Sequence, residues 1–140
     1  MTPIEALIER LEKATGPSRE IDLEIGKALD HIDARTVIIG AGDHAGTIGY
    51  SDRNQWASVS LPLYTASIDA AVSLCERVLP NDHRQHWTVG KWASCYRANI
   101  KPQQSGGEMI CGDAPTAALA LCLATLRARA AVAIREGVRG

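Results

Sequence analysis

Apolar residues recur at helical spacing at the start of the chain, where Ile4, Leu7, Ile8 and Leu11 make one stripe. Thr2 and Glu5 have capping-box spacing, Pro3 suits the first helical position, and Gly16-Pro17 ends the helix. Ser18 is placed to cap a second helix whose face carries Ile21, Ile25, Ala28 and Leu29, with Glu20 and Glu24 favouring its N-terminal end and Gly26 weakening its middle. Residues 1–31 therefore predict a helical hairpin, and neither short helix is stable unless its stripe is buried on something else.

The pattern then changes to β-branched and alternating. Arg35 to Ile39 reads as a buried strand, GAGDHAG as a glycine-rich turn, TIGYS as a short strand and Trp56 to Leu61 as an edge strand that Pro62 stops. Between the last two, Asp52, Arg53, Asn54 and Gln55 make a polar turn. A third helix follows from about Ala66 to Leu79, with Thr65 as its cap, a stripe of Ile68, Val72, Cys75 and Leu79, and Pro80 beyond its end. HWTVGKWASCYRANI reads as a hairpin turning at Gly90-Lys91. Its second strand sets Trp92, Tyr96, Ala98 and Ile100 on one face, and Cys95, Arg97, Asn99 and Lys101 on the other. QQSGG links to a short strand at EMIC, and Asp113 with Pro115 starts a last helix that runs to about Glu136. That helix carries a stripe of Leu119, Cys122 or Leu123, Leu126, Ala130 and Ile134, and Gly137 ends it.

These elements give an α/β (α+β) fold class: a small antiparallel sheet packed with helices. One domain covers 1–140, divided into the helical hairpin (1–31), a glycine-rich β insertion (35–63) and an α-β-β-β-α core (64–137). A chain of 140 residues with 46% hydrophobic content suits one modest core, built without phenylalanine. Net charge is −1, so the overall balance advertises neither a nucleic-acid nor a membrane-surface binder. Residues 1–70 nevertheless carry 6 basic and 11 acidic side chains, net −5, and residues 71–140 carry 9 and 5, net +4. This asymmetry fits solvated helix faces, a basic patch for an anionic ligand, or acidic and basic surfaces meeting in a homo-oligomer. The acidic, amphipathic N-terminus is unlike a signal peptide and no apolar run is long enough to span a bilayer, so no membrane partner and a cytoplasmic location are expected. Cys75, Cys95, Cys111 and Cys122 then read as free thiols.

YTASIDAAVSLCERVLP, the tryptophan-bearing hairpin and APTAALALCLATLRARAA together resemble the phage ABA-sandwich domain family of small phage and prophage proteins. The opening IEALIERLEKATGPSREIDLEI is similar to the helical hairpin that precedes this domain in many alphaproteobacterial members. The resemblance implies a phage or prophage origin and an ABA-type sandwich, a location in the bacterial host cytoplasm, and no established chemistry. The glycine-rich stretch before Tyr64 departs from the family pattern.

Candidate chemistry is sparse. The cysteines are isolated, without the close pairs of a zinc site, so no metal and no cofactor are expected. The glycines at 40, 42 and 46 match no phosphate-binding fingerprint. A Cys/His pair drawn from Cys95 or Cys111 and His83 or His86 lacks any local signature. The α-β-β-β-α order matches a double-stranded RNA-binding module, yet the last helix opens without a basic residue before Arg127, which makes nucleic acid a poor partner. Guanidinium groups hold phosphates bidentately and indoles stack on bases, so Arg53, Trp56, Trp92, Arg97, Asn99 and Lys101 are the candidate ligand-binding residues for a small anionic, nucleotide-like molecule. The resulting expectation is a non-enzymatic phage accessory protein, in the leading reading a counter-defence protein that sequesters a host immune signalling nucleotide. The alternatives are a protein-interaction module that masks a host factor through residues 35–61, a nucleic-acid-binding module, and a hydrolase with a Cys/His dyad.

Overall fold

The computed structural model describes residues 3–40, 46–78, 87–101 and 109–139, without the side chains of Trp92 and of residues 132–139. Within them the chain is an α+β fold of four helices and two three-stranded antiparallel sheets. Helices α1 (Pro3–Lys13) and α2 (Arg19–Ala28) precede β1 (Val37–Ile38), β2 (Ile48–Asp52) and β3 (Gln55–Ser58), which pair in that order. After α3 (Ile68–Val78) come β4 (Trp87–Trp92), β5 (Cys95–Ile100) and β6 (Ile110–Ala114), again paired in order, and α4 (Ala117–Arg139).

The core is organised around α4. Every residue from Ala118 to Leu126 is buried, so this helix has no solvent face along that stretch. It lies against β5 and β6 on one side and against α1 and α3 on others. Gly112 on β6 permits the contact: a Cβ there would sit 2.7 Å from the backbone oxygen of Ala120 and the backbone nitrogen of Ala124. Leu7 and Leu11 from α1, Ile21 and Ile25 from α2, and Ala71, Leu74 and Cys75 from α3 complete the apolar interior.

A polar clamp holds α2 to the segment before α3. The Asp22 carboxylate is 1% exposed and accepts from the Thr65 backbone N–H (2.8 Å), the Thr65 hydroxyl (2.8 Å) and Arg19 Nη1 (2.9 Å). Arg19 also donates to the carbonyls of Leu61 and Pro62. Ser18 caps α2 as the sequence predicts, its hydroxyl accepting from the Ile21 N–H. The backbone N–H of Ser18 donates to the Thr65 oxygen.

Several local expectations are corrected. Thr65 does not cap the third helix; it is consumed by the Asp22 clamp, and Ser67 caps α3 instead, its hydroxyl accepting from Ala70 N–H. The buried face of α3 accordingly carries Ala71, Leu74 and Cys75, while Ile68 is exposed. The expected buried strand over 35–39 is a two-residue edge strand with Val37 49% exposed, because among the described residues β1 pairs with β2 alone. The edge strand expected over 56–61 is β3, ending at Ser58. The second hairpin turns at Ala93-Ser94, not at Gly90-Lys91: Trp92 pairs with Cys95, and Ala93 adopts φ 55°. This register sets Trp87 and Val89 across from Ile100 and Ala98, which gathers apolar positions on one face. It also moves Trp92 from the second strand of the hairpin to the end of the first. Asp113 is a strand residue rather than the start of the last helix, which Thr116 caps through the Leu119 N–H. That helix runs through Gly137 to Arg139, a glycine near a helix end costing only about 1 kcal/mol. Leu79 and Thr2 lie outside the described residues.

Thr65→Val keeps the shape of the side chain and removes one donor from a buried carboxylate. It is expected to lower stability by about 1–3 kcal/mol, read as a lower urea midpoint at constant slope. An unchanged midpoint would show that Asp22 does not depend on that hydroxyl.

Candidate functional site

Alternation along β5 divides its side chains between two environments. Ala98 and Ile100 are fully buried on the side that meets α4, whereas Arg97 and Asn99 lie on the opposite, outer side. The face bearing Arg97 is open. Its floor is Gly90, paired with Arg97, above which a Cβ would meet nothing within 4 Å. A shallow depression of about 180 Å³ forms there, lined by Thr88, Val89, Gly90, Lys91, Arg97 and Asn99.

Two of the candidate residues have cross-strand partners. Arg97 pairs with Asp113 in register, and its Nε and Nη2 donate to the two carboxylate oxygens at 2.8 and 3.1 Å. The fork–fork geometry holds the Asp113 carboxyl below the usual carboxylate range, the Arg97 hydrogen bonds being the main cause. Asn99 sits opposite Cys111, whose thiol donates to Asn99 Oδ1 at 3.0 Å. Lys101, just past β5, is exposed. The sequence carries a signal for Asp113: Ile110, Gly112 and Ala114 alternate with Cys111 and Asp113, a period of two that marks a strand with one polar face. Lys91 and Thr88, which also line the depression, were not singled out by residue type.

Arg53 and Trp56 do not join this face. Arg53 and Trp56 belong to the first sheet and do not line the depression, and the side chain of Trp92 lies outside the described residues. Arg53 and Asn54 form the tip of the β2–β3 hairpin with φ 51° and 66°, the left-handed pair that a two-residue turn of this hand requires. Trp56 is 41% exposed, and its indole covers Gly49, where a Cβ would be 2.8 Å from the ring. Arg35 lies 4.6 Å from the Tyr50 ring centroid and donates to Asp33 and Asp52. The hydrogen bonds from the Arg35 side chain, and after them the one from its backbone N–H, hold the Asp33 carboxyl at about 2, well below the usual carboxylate range.

Among the described residues no three His, Cys, Asp or Glu gather as metal ligands. His44, His83 and His86, and with them the imagined Cys/His pair, lie outside the described residues, as does the centre of GAGDHAG. The first turns of α4 are buried, and Arg127 donates to the Cys111 carbonyl at 2.8 Å, so the segment that a double-stranded RNA-binding module would offer to phosphates faces the core. No described helix is long and apolar enough to cross a membrane. Compared with known proteins, no family model, no curated protein and no solved structure matches the chain.

The four cysteines are free and divide by burial. Cys75 and Cys122 are fully buried, desolvation pushes both thiols up, and Cys122 donates to the Tyr64 carbonyl. Titration with an aromatic disulfide reagent at neutral pH is expected to modify Cys95 and Cys111 in the native protein and Cys75 and Cys122 only after unfolding. Equal rates at all four would contradict the closed core around α4.

Proposed function

We propose that this chain is a non-enzymatic binding protein that holds a small anionic, nucleotide-like ligand on the outer face of the β4–β6 sheet, and that it serves a phage as a counter-defence protein by sequestering a host immune signalling nucleotide. The observation that carries this reading is the open depression over Gly90, edged by Lys91, Arg97 and Asn99. Arg97 already grips a carboxylate in the bidentate manner that suits a phosphate, so an incoming phosphate competes with Asp113 for the same fork. At about 180 Å³ the depression is smaller than the roughly 300–1,000 Å³ of ordinary ligand pockets. Enclosing a whole nucleotide therefore calls for a second copy of the chain, which agrees with the homo-oligomer expected from the opposed charges of its two halves. The phage context rests on the family resemblance.

The test is calorimetry against a panel of cyclic nucleotides and ADP-ribose derivatives. Binding in the nanomolar to micromolar range is expected for one of them, about tenfold weaker for Arg97→Ala and tighter for Asp113→Asn, which removes the competing carboxylate. Absence of heat across the panel would remove the reading, as would equal affinities for the two variants.

A second reading is favoured by a specific feature of the first sheet. Val37 and Trp56 flank Gly49 on one face and are 49% and 41% exposed, an apolar pair that suits masking of a protein partner through residues 35–61. A pull-down from host lysate is expected to retain one host protein stoichiometrically with the wild type and to lose it with Val37→Ser/Trp56→Ala. Equal recovery by both would rule this reading out.

A further inference from the structure

A second cavity, of about 290 Å³, opens where the ends of several helices converge, and none of its residues is a ligand-binding candidate from the sequence. Ile4 of α1 and Val78 of α3 supply apolar walls, while Arg77 of α3, Arg129 of α4, and Asp30 and His31 after α2 supply the charged and titratable ones. The backbone fixes His31 closely. Leu29 ends α2, the Asp30 N–H bonds to the Lys27 carbonyl at 3.2 Å, and the His31 N–H bonds to the Gly26 carbonyl at 2.8 Å. These are the two hydrogen bonds of a Schellman motif, with Asp30 at φ 57° in the position usually held by glycine. The imidazole is thereby delivered to the cavity with its Nδ1 buried and unpartnered among the described residues.

Neither Arg77 nor Arg129 forms an ion pair with another described residue, in contrast to Arg19, Arg35, Arg97 and Arg127. Arg77 lies in the last turn of α3, where the helix dipole draws on part of its charge. Arg129 supplies a second guanidinium from a different helix. The cavity thus joins two guanidinium groups and an imidazole to a single carboxylate, Asp30. We propose that this cavity binds a phosphate group, free or carried by a small phosphomonoester, between Arg77 and Arg129 with His31 as the third partner. The proposal is independent of the β4–β6 face.

Binding and protonation are linked. His31 lies below its ordinary value of 6.5, first through desolvation and then through the Arg77 charge, with Asp30 opposing. Without a ligand, the neutral imidazole is favoured, so stability falls as pH drops through the unfolded value of 6.5. A bound phosphate reverses the sign of the local field and favours the imidazolium. The protonated ring therefore holds a phosphate dianion more tightly than the neutral ring does.

The experiment follows the His31 ring resonances by NMR through a pH titration of the full chain, with inorganic phosphate and with chloride at equal ionic strength. Phosphate is expected to raise the His31 titration midpoint saturably, by about one unit. Arg77→Gln/Arg129→Gln is expected to weaken the phosphate response at least tenfold, with the fold verified by an unchanged amide spectrum outside the cavity. Glycerol phosphate in place of inorganic phosphate distinguishes the two sources: tighter binding of the ester identifies a phosphomonoester ligand, and tighter binding of inorganic phosphate identifies the free ion. A His31 midpoint identical in phosphate and chloride would overturn the proposal, as would an undiminished phosphate response in the double variant.

Discussion

A helix that is apolar around its whole circumference must be covered on every side, and α4 places that demand on the rest of the chain. Leu119, Leu123 and Leu126 share one face of the helix, Leu121 lies on the opposite one, and all four are buried, each side chain contributing about 2 kcal/mol. One direction is closed by β5 and β6, which approach so closely that only glycine fits at position 112. The others are closed by α1 and α3. The N-terminal hairpin is thus a wall of the core, and its short helices obtain from α4 the burial that they lack alone.

Covering α4 from several sides brings together segments distant in sequence, and polar groups fix their relative positions. The Asp22 clamp joins residues 43 apart and anchors the chain between the β insertion and α3. A buried carboxylate is a costly choice for stability alone, since a well-packed apolar side chain would avoid its desolvation. Here every donor it meets is directional, so the clamp specifies which part of the 61–65 segment meets α2. Arg19 extends that specification to the carbonyls of Leu61 and Pro62, which no regular element satisfies.

The same distinction between local and distant causes explains what the sequence discloses. The amphipathic stripe of α1, the Ser18 cap, the polar hairpin tip at Arg53-Asn54 and the alternation of β5 are set by neighbours within a few residues, and all are legible. Thr65 looks like a cap because its local context is that of one; its partner is 43 residues earlier. Gly90 draws the predicted turn because glycine suits turns, but pairing Trp87 and Val89 with Ile100 and Ala98 outweighs the left-handed strain at Ala93. Moving the turn by three residues leaves Arg97 and Asn99 on the polar face and sets position 92 opposite Cys95, at the end of the first strand. Arg53 and Trp56 were grouped with that face by chemistry alone, and chemistry carries no information about which sheet a hairpin joins. His31, Arg77 and Arg129 are legible only in three dimensions, since each comes from a different element and none belongs to a spaced motif.

Ion pairing decides how the positive charge of this molecule is available to a ligand. Arg35 and Arg97 are each held by aspartates beside them, and Arg127 lies near Glu12 while donating to the Cys111 carbonyl. A ligand at such an arginine gains only the difference between its own contact and the one it displaces. At an exposed pair that displaced contact is weak, so competition at Arg97 is feasible but sensitive to salt. Arg77 and Arg129 present the opposite case: with no ion pair among the described residues to displace, their full interaction is open to an anion, and the cost falls on desolvating the guanidinium groups beside Ile4 and Val78. The two proposed sites therefore differ in kind, one an exchange of partners on an open sheet and the other a first pairing within a cavity.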